Sequence, residues 1–411
     1  MGIPSGKSFD ARPGDGPDRG TGRTQTPQHG AGGKGVAAGL ILALLAAFAA
    51  SAEPLRVATW HVELARRGPG LLLRDILKGE DPGIAAVVET IAQVAPDVLL
   101  LTGVDWDYGQ RTLDALAGRL RDAGQDYPYR FTRRPNSGLT TGLDLDGDGR
   151  TGGPGDAQGY GRYPGYGGMA LLSRVRIDRA AATDFSAMLW RDLPDALLPE
   201  KNGMPFPSER ALQQQRLSSV GHWIVPLVLG PDRRIDLLAF SAGTPVFDGP
   251  EDRNGRRNHD EIVFWRKYLD GALPWPAPQA PVVVLGNANL DPSDGDGLRG
   301  AILSLLSDPR LQDPRPASRG GIAASAQQGG VNAAQRGDPA LDTADWSDED
   351  GPGNLRISYV LPDASLNVLG SGVFWPTPDE AAFTLITAEG APRHRLVWVD
   401  IDVPEQAIAP E

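Results

Sequence analysis

Cysteine is absent from the 411-residue chain. That excludes disulfides, thiolate zinc sites, cysteine nucleophiles and a lipoprotein anchor. It is compatible with export, because absent thiols cannot mispair in an oxidising compartment. Histidine is scarce, with five in all, and no G-x-S-x-G elbow accompanies them, so a Ser–His–Asp hydrolase has no support. Positive charge is also short: 40 Lys and Arg stand against 52 Asp and Glu, a formal net charge of −12. Such a surface repels a phosphate backbone, so non-specific nucleic-acid binding is not expected. A small phosphate ester or a local groove stays open. What is plentiful is glycine (52) and proline (36), which implies long structured loops around a core.

No apolar run reaches the roughly 20 residues of a membrane span. The front of the chain instead reads as a processing signal. Residues 1–34 are rich in Gly, Pro and charge without hydrophobic periodicity, and a disordered leader is expected there. "GIPSGKS" falls one residue short of phosphate-loop spacing, and no strand precedes it. Lys34 then leads into a short apolar run that ends at Ala50-Ser51-Ala52, a small-x-small cleavage site. Residues 35–52 are therefore read as a signal peptide, with an uncleaved anchor as the alternative. The folded domain spans 53–411, in the periplasm or secreted.

Within that domain, Leu55–Leu64 begins as a strand and a loop containing "GPG" follows. Ile84, Val87, Val88, Ile91 and Ala95 recur at helical spacing before Pro96 stops the helix. Asp97–Gly103 is a continuous apolar strand, as expected with both faces covered. Leu113, Leu116 and Leu120 mark a second helix. Gly167–Ser173 is a strand, and His222–Leu229 with Arg234–Ala242 form a hairpin around "GPDR". Ile262, Trp265 and Leu269 sit on a helix, and another helix is expected near 298–307. Val282–Gly286, Leu355–Pro362 and His394–Val403 are later strands, and the stretch around 315–340 looks disordered. With no repeat and no linker, one α/β domain is expected: two mixed β-sheets packed together and flanked by helices.

Five segments carry a resemblance: "TWHVEL", "PDVLLLTGVD", "GNANLDP", "GNLRISYVLP" and "PRHRLVWVDI". In this order they resemble the endonuclease/exonuclease/phosphatase superfamily over about residues 55–402. The resemblance implies a four-layer α/β sandwich that hydrolyses phosphodiester or phosphomonoester bonds with Mg²⁺ or Mn²⁺. That chemistry needs a carboxylate to hold the hard cation, an activated water, and a His–Asp pair at the phosphoryl group. Compared position by position, the family's first-strand Asn is His61 here. Thr102 and Gly103 stand at the metal-binding Glu motif, and Ser241 stands at the middle-strand His. The Asp-x-Asn turn has Asn287 and Asn289, and Ser358 replaces the Asp of Arg-x-Asp-Tyr. His394 survives from Ser-Asp-His, with Pro392 and Arg393 in place of its partners. The catalytic candidates are thus His394, Asn289, His61 and Asn287. Glu63 and Asp105 are candidates for a shifted metal site, with solvated rim residues as the alternative for both.

Elsewhere, "DLDGDGR" has the D-x-D-x-D-G spacing of a calcium loop, with Asp144, Asp146 and Asp148 as candidate Ca²⁺ ligands. The twelfth position is Gly155, not a bidentate Glu, and Asp156 comes one residue late. A solvated acidic turn is the alternative, and "DPSDGDG" (Asp291–Gly297) reads as a plain turn. Arg253, Arg256, Arg257 and His259 either bind phosphate or begin a helix laced with ion pairs. His222, beside Trp223, is expected to be structural. Two functions follow. One is a metal-dependent phosphoesterase of weak or altered activity. The other is a catalytically inactive binding protein on the same fold, with a structural calcium loop. The partner in either case is a phosphate-ester substrate or an unidentified ligand, with no stable membrane span, and the chain is expected to be a monomer.

Overall fold

The computed structural model describes residues 54–231 and 233–403. The leader and the signal-peptide segment lie outside the described residues. In chain order the strands are β1 (Leu55–His61), β2 (Val98–Val104), β3 (Tyr129–Phe131), β4 (Gly168–Ser173), β5 (Arg176–Ile177), β6 (Thr183–Asp184), β7 (Glu200–Lys201), β8 (Met204–Pro205), β9 (Gly221–Val228), β10 (Arg234–Ser241), β11 (Val282–Asn287), β12 (Ser358–Pro362), β13 (Asn367–Phe374) and β14 (Leu396–Asp402). The helices are α1 (Leu71–Lys78), α2 (Pro82–Val94), α3 (Arg111–Asp122), α4 (Glu209–Leu212), α5 (Arg253–Leu269), α6 (Gly300–Leu306), α7 (Arg319–Gln328) and α8 (Phe383–Thr387).

Side-chain alternation along the central strands builds four layers. Val57, Leu100, Leu237, Val283 and Val399 point into the space between the sheets. Their neighbours Ala58, Leu99 and Leu101 face α2 and α3 on one outside, and Leu238 and Val284 face α5 and α6 on the other. A period of two on both faces explains why these strands read as unbroken apolar runs. One sheet runs β13-β14-β1-β2-β4-β3. The other runs β12-β11-β10-β9-β5, with β6 also paired to β9. Both are mixed: β1 with β2 and β10 with β11 are parallel, and the remaining pairs are antiparallel. This is the four-layer α/β sandwich expected from the sequence.

Two local expectations are corrected. The stretch around 315–340 is ordered and holds α7, started by Ser318 Oγ accepting the Gly321 amide at 3.0 Å. Gly320 packs so closely that a Cβ there would lie 2.0 Å from the Trp375 carbonyl, so the helix docks by backbone approach and leaves no apolar stripe to read. The loop after β1 contains α1, which buries Leu72 and Ile76, one turn apart. Among the described residues no helix is long and apolar enough to cross a membrane.

The sheets bring the ends of β1, β10, β11 and β12 to one edge. His61 pairs with Thr102 across β1–β2. Ser241 pairs with Asn287 across β10–β11, and Asn287 with Ser358 across β11–β12. His394 reaches the same edge just before β14, bridged to Ala344.

Candidate functional site

At that edge a cavity of about 800 Å³ opens, lined among others by His61, Glu63, Ser241, Asn289, Arg257 and Glu261. Among the positions lining it that are left-handed are Glu63 (φ 47°), Gly103 (φ 76°) and Asn289 (φ 50°). Glu and Asn reach this region only at some cost in strain, a feature that clusters at ligand sites.

His61 is fixed by its Nδ1, 2.9 Å from Thr102 Oγ1. Its ring packs at a 45° tilt against His394 with centroids 4.4 Å apart, and His394 meets the edge of Trp346 at 5.3 Å. Burial lowers the pKa of His61, against the opposing pull of Glu63. Burial pushes His394 well below its ordinary value, and the charges of His61, Arg395 and Arg393 push the same way. Both rings are therefore neutral at pH 7. The carboxylate partner that would hold a second imidazole proton is missing: among the described residues His394 Nδ1 has no hydrogen-bond partner.

Gly103 is the position where the resemblance places a metal-binding Glu. A Cβ on Gly103 would meet His61 Cε1 at 2.9 Å and Nε2 at 3.1 Å. The imidazole fills the space from which a carboxylate would project. Glu63 does not replace it: its Oε2 accepts the Arg393 amide and its Oε1 lies 3.4 Å from Arg393 Nη2. Asn287 and Ser358 are buried register partners, with Asn287 Nδ2 and Ser358 Oγ unpartnered among the described residues. Asn289 donates from Nδ2 to the Ala242 carbonyl at 2.8 Å, and its amide donates to Asn287 Oδ1 at 3.2 Å. An edge of neutral imidazole, amide and hydroxyl groups gives a divalent cation little field. A metal at the family position does not fit these residues.

Of the sequence candidates, His61, Glu63 and Asn289 line the cavity, and His394 packs behind His61. Asp105 lies apart. It is buried and accepts the amides of Arg66 (2.9 Å) and Gly167 (3.0 Å), so it ties two loops together. Asp144, Asp146 and Asp156 each offer a carboxylate oxygen within 4.8 Å of the others and could hold a metal ion. Asp148 is outside that group and accepts the Arg150 amide at 2.7 Å. Crowding by Asp156 and Asp148 adds to burial in raising the Asp146 pKa.

The basic run resolves as the start of α5. Arg257 is buried and donates to the carbonyls of Leu217, Gln158, Arg216 and Ser218. Arg253 donates to the Leu145 carbonyl, and His259 Nδ1 lies 2.9 Å from Asp260. His222 is buried, bonded to Ser218 and the Glu261 carbonyl, and burial pushes its pKa down to about 4. The lining residue that the sequence reading missed is Glu261. It accepts the Ser219 and Gly243 amides, and burial raises its carboxyl to about 7. Its only signal was position: it stands one turn beyond Arg257 on the buried face of α5.

No curated protein matches the chain. Among solved structures it is similar to an endonuclease/exonuclease/phosphatase from Beutenbergia cavernae DSM 12333, at 18% identity, covering 87% of this chain and 74% of that one, with a TM-score of 0.48. It is also similar to a family protein from Leptotrichia buccalis C-1013-b, at 16% identity, 84% and 99% coverage and a TM-score of 0.45. A third is sphingomyelinase C from Streptomyces griseocarneus, at 16% identity, 85% and 99% coverage and a TM-score of 0.42. The sequence profile of the Endonuclease/Exonuclease/phosphatase family matches residues 75–385, well over half of the chain. The chain belongs to the endonuclease/exonuclease/phosphatase family.

Proposed function

We propose that the protein is an exported, phosphoester-binding member of its family in which metal-dependent hydrolysis is weak. Family membership suggests phosphoester hydrolysis with a divalent metal. The single observation behind the weakened activity is at Gly103, where the His61 ring occupies the space a metal-holding carboxylate would need. Glu63, the nearest substitute, is neutralised by Arg393. What the cleft offers a ligand is hydrogen bonding by the His61 imidazole and the Asn289 amide, in a cavity roomy enough for a small ester. Export rests on the sequence signal at 35–52, and a structural calcium ion at the Asp144/Asp146/Asp156 group belongs to the same reading.

The test is calorimetric titration of the full chain with bis(p-nitrophenyl) phosphate in chelator, repeated with Asn289→Ala. Saturable binding without metal, weakened by the substitution, is expected. Binding that appears only after Mg²⁺ or Mn²⁺ is added would overturn the reading.

One observation favours a second reading. Asp146 lines the cavity and also belongs to the acidic group, so a cation held there would face a bound ester. Hydrolysis would then persist through a displaced metal, and Asp146→Asn would abolish it.

A further inference from the structure

The cavity wall carries exposed aromatic rings that the polar edge does not use. Phe247, on the loop after β10, lines the cavity and is 91% exposed. Tyr160, on the loop between β3 and β4, also lines it and is 64% exposed. Tyr166 lines it too and is half-buried. Phe247 sits in the left-handed region at φ 72°, which a bulky residue enters only under strain. No burial offsets that strain, because the ring is exposed. The segment is nevertheless held. Asn254, in the first turn of α5, donates from Nδ2 to the Val246 carbonyl at 2.8 Å and from its amide to the Asp248 carboxylate, so both neighbours of Phe247 are pinned. Arg253 extends the tie to the second loop. Its Nη2 donates to Asn254 Oδ1 at 3.0 Å, and its Nη1 donates to the Leu145 carbonyl, on the loop that bears Tyr160.

An aromatic ring that is strained, held and exposed beside a cavity marks a ligand contact rather than a packing residue. The lining also indicates which group the ring meets. Its large apolar side chains are all aromatic, and its aliphatic ones are only alanine and valine. An alkyl group gains from such a wall by burial alone, whereas a second ring gains the added attraction of paired π systems. At about 800 Å³ the cavity has the size of a small-molecule site. The net charge of −12 disfavours a nucleic-acid strand or an anionic membrane as the occupant. We propose that Phe247 and Tyr160 form a ring-binding subsite that selects small phosphoesters whose alcohol part carries an aryl or heteroaryl group. This rests on the phosphoester reading above: His61 and Asn289 would meet the phosphoryl end, and the two rings the other end.

The test is calorimetric titration of the full chain in chelator with two matched pairs of esters. Phenyl phosphate is compared with cyclohexyl phosphate, which keeps the ring size and lacks the π face. Adenosine monophosphate is compared with ribose phosphate, which lacks the base. Expected in at least one pair is binding about threefold to tenfold tighter for the aromatic member, and which pair shows it separates aryl from heteroaryl. Phe247→Ala and Tyr160→Ala should each reduce that preference, and Phe247→Tyr should keep it. Phe247→Gly, which suits the left-handed backbone, should lose the preference without lowering Tm. A lower Tm in that variant would make the ring a structural one and overturn the proposal. Equal affinities within both pairs, still weakened by Asn289→Ala, would overturn the subsite and leave the phosphoester reading standing. No binding of any of the four esters would overturn both.

Discussion

A carboxylate at position 103 would have to begin where the His61 imidazole already lies. Gly103→Glu should therefore destabilise the protein by about 2–4 kcal/mol, combining left-handed backbone strain with overpacking. Adding His61→Asn removes the ring that the new Cβ meets and should recover part of that loss. Urea unfolding of the single and double variants measures both, and a Gly103→Glu variant as stable as the parent would contradict the packing account. The buried imidazoles set an acid limit. His222 is held neutral, so the unfolded chain takes up the proton first. The stability it contributes is fully present above the unfolded value of 6.5 and is lost as pH falls toward about 4, at roughly 1.4 kcal/mol per unit for one proton. Glu261 works in the opposite sense: with its carboxyl raised from 4.5 to about 7, its contribution is present below 4.5 and lost as pH rises through 7. Comparing Tm between pH 8 and 4 for the parent and His222→Gln isolates the histidine, and the variant should show the shallower acid decline.

At the scale of elements, β2 and β11 were legible because a strand covered on both faces must be apolar throughout, and that run needs no partner to be seen. α2 was legible from its stripe and its stop, with Ala95 in the left-handed conformation just before Pro96. α7 was not, because Gly320 and Gly321 are its buried residues and glycine carries no hydrophobic signal. The prediction that belongs here is Gly320→Ala. A Cβ 2.0 Å from the Trp375 carbonyl cannot be accommodated without backbone movement, and a loss of about 1–3 kcal/mol is expected, against a small gain from the better helix former if α7 were loosely docked. Thermal unfolding decides between them by sign. α5 shows what lies between: its apolar side was read from Ile262 and Trp265, while Arg257 and Glu261, buried on the same helix, were masked by a charged sequence that looked solvated.

Across the whole molecule, the order of five segments was enough to recognise the architecture, because each sits at a strand end and the sheets return those ends to one edge. The state of the site was less legible. Substitutions at 103, 287 and 358 could be read directly, but the Glu63–Arg393 pair joins residues 330 positions apart, and only the fold brings them together. Asp105, two residues past β2's Gly103, was drawn into the candidate set by its place in sequence, while its side chain turns to the Arg66 and Gly167 amides. The account's central claim is that the cleft supports the family's metal-dependent chemistry only weakly. The direct measurement is turnover of bis(p-nitrophenyl) phosphate by the full chain in Mg²⁺, Mn²⁺ or Ca²⁺, beside His394→Ala and Asp146→Asn. The account predicts parent turnover only slightly faster than the His394→Ala variant in every metal. Metal-dependent turnover that His394→Ala abolishes and Asp146→Asn leaves intact would contradict it.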